Sequence, residues 1–183
     1  MRPVERGEIL DYATYGETRD GILKEALKQK RPRRVHLGEH LTILFENHET
    51  VRFQIQEMIR VEQLVKESDI QHEIDTYNEL LGSEGELGAT LLIEIDDPVE
   101  RGALLRSWKT LPEHLFVELE GGERIYATFD ERQVGDDRLS SVQYLKFATS
   151  GRVPFAVGSD HPLLQAGTRL TEEQRAALAS DLA

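Results

Sequence analysis

The chain contains no cysteine. That absence removes disulfides, thiolate nucleophiles, thiolate-held zinc and protein-ligated iron–sulfur clusters, so any metal or cofactor has to be held by nitrogen, oxygen or thioether. Positive charge is also scarce: 22 Lys and Arg stand against 34 Asp and Glu, a formal charge of −12 with a pI near 5.0. A surface of that sign repels a phosphate backbone and excludes nucleic acid as the main partner. No run of about 18 apolar residues occurs, and "MRPVERGEILDY" lacks the apolar core of a signal peptide, so the expectation is a cytoplasmic protein with no membrane partner. Catalytic signatures are missing too: there is no G-x-S-x-G, S-x-x-K, H-E-x-x-H or Walker loop. Nothing points to an enzyme, and a non-catalytic role is the expectation.

What is present is enough for one packed domain, 183 residues of which 39% are apolar. Tyr12, Tyr15, Ile22, Leu23, Ala26 and Leu27 follow a helical period, and Pro32 predicts that this helix stops by about Lys30. "RVHLGEHLTILFEN" switches to period two. A three-residue loop at Gly38 to His40 would place Val35, Leu37, Leu41, Ile43 and Phe45 on one sheet face. Thr50 to Lys66 reads as a helix, and "SDIQ" at Ser68 as the capping box of a second one carrying Ile70, Ile74, Tyr77 and Leu81. Gly82, Gly85 and Gly88 are a helix-to-strand connector, because a phosphate loop needs the strand before it and the helix after. Strand 89–95 leads to a helix opened by Asp97 and Pro98, strands follow at 114–120, 123–130 and 140–148, and Thr171 caps a short last helix. Segment 149–170 reads as the loosest part. The expected architecture is α+β: a single domain over 1–183, with a mainly antiparallel sheet packed by amphipathic helices.

One stretch, "KQKRPRRVHLGEH", gathers five of the 22 bases and two of the six histidines. Its His36 and His40 cannot share an ion, being roughly 13 Å apart in an extended chain and turned apart in the hairpin. Arg31, Arg33 and Arg34 remain as an anion contact or a solvated connector. His72 lies on the polar side of its helix with Thr76 and Glu79, a wet face or a ligand facing a cleft. His161, in "SDHPLL", sits in a predicted loop beside an acid that could orient it.

"FENHETVRFQIQEMIR", "HEIDTYNELL", "GELGATLLIEI", "SSVQYLKF" and "DHP" together resemble the bacterial family catalogued as domain of unknown function 3501, over nearly the whole chain. Residues matching its pattern include Glu46, Asn47, Gln54, Gln56, Glu57, Arg60, His72, Tyr77, Asn78, Thr90 and His161. The tyrosine that the pattern usually has after the His-Pro pair is missing here, where the chain reads "DHPLL". Genes of the family often neighbour rubrerythrin-like proteins and iron–sulfur oxidoreductases, which implies iron or peroxide housekeeping.

Joined to the absence of cysteine and the cationic patch, that implied redox link leads to the expectation of a haem- or iron-binding accessory protein, with His72 or His161 as ligand and Arg31, Arg33 and Arg34 pairing the cofactor's carboxylates. Two alternatives stand beside it. One is an interaction subunit that docks a redox protein partner through a polar helix face bearing Gln54, Glu57 and Arg60. The other is a non-haem metal enzyme built on Glu57, Glu62, Glu73 and His72. Glu46, Asn47, Gln54, Glu57 and Arg60 also make sense as a hydrogen-bonded network that fixes helix against sheet, with no cofactor at all.

Overall fold

A computed structural model describes residues 1–183, as five α-helices and two four-stranded antiparallel sheets in an α+β domain. The first helix, α1 (Tyr12–Lys30), starts where the Asp11 carboxylate accepts the amides of Ala13 and Thr14, and it gives way at Pro32 to a short 3₁₀ turn. The hairpin β1 (Arg34–Leu37) and β2 (Leu41–Phe45) follows with the expected three-residue loop: Gly38 takes a φ of 65°, and Val35 pairs with Ile43 while Leu37 pairs with Leu41. The five apolar side chains therefore share the inner face.

Helix α2 spans His48–Glu62, earlier and shorter than the hydrophobic period alone suggests. Asn47 and Thr50 form a reciprocal cap that fixes its start, and Gln63 turns left-handed at φ 52° to end it. The capping box expected at Ser68 does not form. Helix α3 (Glu67–Asn78) begins one residue before it, behind Lys66, and the Ser68 hydroxyl donates to Asp69 instead. Strand β3 (Leu87–Ile93), helix α4 (Pro98–Ser107, capped by Asp97), strands β4 (Leu115–Glu118), β5 (Arg124–Tyr126) and β6 (Val142–Phe147) come next in the predicted order.

Residues 149–170 are not loose. They carry β7 (Ala156–His161) and β8 (Leu164–Arg169), ahead of α5 (Glu172–Leu182). The first sheet runs β1-β2-β3-β6 and the second β5-β4-β7-β8, so β7 is interior. The inner faces of both sheets close on one apolar core, with Leu105 and Trp108 of the α4 region and Leu178 of α5 at its margins. A second, smaller core joins Val51, Ile55 and Ile59 of α2 to Ile70 and Ile74 of α3 and to Val4 and Ile9 of the N-terminal segment. This helical layer meets the outer face of the first sheet at Gly88, where a Cβ would lie 1.8 Å from the Leu80 carbonyl oxygen.

Side-chain amides finish much of the backbone pairing. Gln56 accepts the Leu10 amide and donates to the Leu10 carbonyl, both at 2.9 Å, and Asn78 treats Val4 in the same way at 2.8 and 2.9 Å. Gln133 binds the free edge of β6, accepting from Tyr144 N at 2.6 Å and donating to Tyr144 O at 3.3 Å. On the opposite edge of that sheet, Gln174 donates to the Arg34 carbonyl and Thr168 to the His36 carbonyl, at 2.8 and 2.7 Å.

Candidate functional site

The polar residues picked out from the sequence separate into distinct places. Glu46, at the end of β2, is buried, and each carboxylate oxygen accepts a hydroxyl: Thr50 at 2.5 Å and Thr90 at 2.6 Å. Asn47 beside it caps α2 and reaches Asp181 at 3.4 Å. Asp181 is the partner of Arg33, in a two-pronged pair at 2.7 and 2.8 Å in which both side chains are less than a tenth exposed. The remaining Arg33 donor is taken by Gln29. Arg33 is thus an internal strut between the exit of α1 and α5, not an anion contact, because each of its three guanidinium nitrogens is bonded inside the protein. Arg31 pairs with Glu173 at the surface, and only Arg34 of the three keeps an exposed guanidinium without a partner.

Glu57 is the hub of a second cluster. It accepts from the Tyr15 hydroxyl at 2.7 Å, from Arg19 twice at 2.8 Å and from Arg60 at 3.3 and 3.4 Å. The Arg19 guanidinium, helped by Tyr15 and Arg60, pulls its pKa down to about 2 against the cost of burial. This cluster ties α1 to α2, so Glu57 and Arg60 do not form the free docking face expected of an interaction subunit. Burial, then the charge of Glu62, push the Glu73 carboxyl up, with His72 opposing. No group of three or more His, Asp or Glu side chains is placed to hold a metal ion.

The two selected histidines sit in different layers. His72 is exposed on α3, whereas His161 is buried on the inward side of β7, and its Nδ1 accepts the Leu163 amide at 3.2 Å. That bond leaves the proton of the neutral ring on Nε2, the nitrogen a metal would need bare. Burial, then the nearby charge of His114, push the His161 pKa down.

The neighbour that sequence reasoning missed is His114: its ring lies edge-on to that of His161 at 5.2 Å, and its Nδ1 donates to Asp160 at 2.9 Å. Tyr126 donates to the other oxygen of Asp160 at 2.6 Å and Arg124 approaches it at 3.6 Å, so Asp160 is held below the usual carboxylate range by Tyr126 first and His114 second. The strand alternation that turns Asp160 outward beside Tyr126 was the available signal, but it depended on recognising β7.

A cleft of about 510 Å³ lies between the C-terminal end of α3, the outer face of β6 and segment 128–133. Thr76, Tyr77, Leu80, Phe129, Tyr144 and Lys146 are among its walls. Gln54 lies beside Tyr77, and burial pushes the phenols of Tyr77 and Tyr144 above their ordinary range, so both rings present neutral O–H groups. His72 precedes Thr76 by one helical turn and stands on the same side of α3, outside the walls of the cleft.

A two-sheet α+β domain with a helical layer over one sheet, carrying a tyrosine-walled cleft, defines the class of this protein. The chain belongs to the family described as "Protein of unknown function (DUF3501)", whose model matches residues 3–182. Among solved structures it is similar to a "novel protein of unknown function" from Burkholderia pseudomallei K96243, with 29% identity, a TM-score of 0.91 and full coverage of both chains. No curated protein matches it. No helix is long and apolar enough to cross a membrane.

Proposed function

We propose that the protein is a cytoplasmic, non-catalytic accessory protein of redox metabolism that binds haem in the cleft between α3 and β6, with His72, one helical turn before the wall residue Thr76, as the iron ligand. The cleft is the observation that carries this reading. Its size falls within the range of cofactor sites, and Tyr77, Phe129 and Tyr144 offer flat apolar surface for a planar ring. Haem also suits a chain in which no three metal-ligand side chains converge, because the porphyrin supplies four iron ligands and asks the protein for one or two. Lys146, the one cation among the walls, would pair a propionate, and Tyr77 and Tyr144 would offer hydrogen bonds to the group. Bound haem iron would supply electron-transfer or small-gas chemistry, and the gene neighbourhood implied by the family makes a redox protein the recipient. Non-haem iron is the weaker version of the same idea.

Titration of the untagged protein with hemin tests it: a saturable Soret shift at one equivalent is expected, lost in His72→Ala, weakened in Tyr144→Ala and unchanged in His161→Ala. A spectrum that His72→Ala does not alter, or no saturable shift at all, would overturn it.

A further inference from the structure

Strand register arranges the outer face of the second sheet in rows. Arg124 of β5 pairs with Glu118 of β4, Glu118 with Ala156 of β7, and Ala156 with Arg169 of β8, so these side chains form one row across the sheet. Phe116 and Gly167 stand in the next row on the same face. Together they line a concavity of about 550 Å³ that Asp160 also borders. Room opens at Ala156 and at Gly167, where a Cβ would meet no atom within 4 Å. Of the charged groups in this trough, Asp160 is already engaged, accepting from Tyr126 at 2.6 Å and His114 at 2.9 Å. Arg124 lies over the Phe116 ring at 4.2 Å and stays 3.7 Å from Glu118, beyond a hydrogen bond. The Glu118 carboxylate therefore accepts no hydrogen bond, although its side chain is partly buried. Arg169 is stacked over Phe155 at 4.4 Å and has no carboxylate partner. An acid and a base with unspent hydrogen-bonding capacity thus face each other across Ala156.

We propose that this trough binds a short zwitterion, an amino acid or dipeptide whose ammonium sits on Glu118 and whose carboxylate sits on Arg169. Charge selects the class. A simple anion drawn to Arg169 and Arg124 would also meet Glu118 and Asp160, and a simple cation drawn to the acids would meet both arginines. A ligand carrying both signs is favoured at each end. Length selects the size. Glu118 and Arg169 stand two strands apart, about 10 Å at the spacing of a sheet. One or two extended residues of about 3.4 Å each, with a charge-assisted bond of about 2.8 Å at either end, span about 9–12 Å, and a longer peptide overshoots. Stacking on Phe155 already restrains the Arg169 guanidinium, so less freedom is lost when it grips a carboxylate. The trough shares no wall residue with the α3–β6 cleft, so the inference stands apart from haem binding.

The test is titration of the isotope-labelled full chain with glycylglycine, followed by backbone amide chemical shifts in NMR. Saturable shifts should concentrate on Ala156, Gly158 and Gly167 and spare Thr76 and Tyr77 of the other cleft. Glu118→Gln and Arg169→Met, with thermal melts matching the parent, should each weaken binding about tenfold or more. Gly167→Val should block the trough sterically while leaving both charges in place. N-acetylglycylglycine and glycylglycinamide each lack one charge, and each should bind about tenfold more weakly than glycylglycine. Shifts that do not saturate, folded variants that bind as tightly as the parent, or a blocked ligand that binds as well as the free one would overturn the proposal; the last result would mark a simple anion or cation site.

Discussion

Removing the carboxylate of Asp181 is the sharpest probe of how this fold is closed. Its pair with Arg33 joins residues 148 positions apart, with two short bonds inside the protein and a third from Asn47. Taking away one member of a buried pair leaves the other charge without compensation, which typically costs about 3–5 kcal/mol. Asp181 also lies in the last turn of α5, where a negative charge opposes the helix dipole, so its loss returns up to about 1 kcal/mol. The net expectation for Asp181→Ala is a loss of about 3 kcal/mol, or about 6–12 °C in Tm for a chain of this length. Arg33→Met should cost a similar amount, because Asp181 then remains buried and unpaired. The double replacement Arg33→Met/Asp181→Leu removes both charges and fills the space with apolar atoms, and should fall within about 1.5 kcal/mol of the parent. Urea unfolding at pH 7, with the midpoint and slope fitted separately, measures all four proteins of the cycle. Single variants that lose less than about 1 kcal/mol, or a double variant that loses the sum of the singles, would refute the account of Arg33 as an internal strut.

Glu57 should set part of the acid limb. Its folded pKa, drawn down to about 2 by Arg19, lies below the unfolded value, so its contribution is complete above about pH 4.5 and is lost as pH falls toward 2. The stability difference between the parent and Glu57→Gln, followed by urea midpoints from pH 7 down, should therefore shrink across that window; a constant difference would count against it. Gly158→Ala should destabilise by about 1–3 kcal/mol through overpacking, because the new methyl would sit 2.3 Å from the Phe116 ring. In a Phe116→Leu background the same change should cost much less, and equal costs in both backgrounds would mean that the ring is not the obstacle.

Local chemistry announced most elements, because their signals lie within a few residues of one another. Asp97 with Pro98 and Thr171 with Gln174 cap the helices they were expected to cap, and the parity of Val35, Leu37 and Leu41 set the hairpin register. Ser68 misled because a cap sequence competes with whatever the preceding residues can do, and Glu67 was already helical. The β7–β8 pair escaped notice because its inward positions include Ser159 and His161, which break the apolar alternation, and because Pro162 marks only the turn between the strands. The functional residues were harder still. The polar side chains of α2 and α3 were visible, but their partners, such as Leu10 for Gln56 and Val4 for Asn78, lie 46 and 74 residues away. No spacing rule distinguishes Arg33, fully engaged, from Lys30, left without a partner.

The side chains that bond to the rims of the first sheet bear on how the protein behaves in a crowd. An open strand edge invites another chain to dock alongside it, the route to fibres and to swapped dimers. Here the Tyr144 edge is occupied by Gln133 and reinforced by a Thr128–Lys146 bridge, while the carbonyls of Arg34 and His36 are occupied by Gln174 and Thr168. Three polar side chains and one backbone bridge, none of them in the core, thus act as gatekeepers against self-association. Loss of Gln133 or Gln174 would first be felt in solubility, well before any loss of fold.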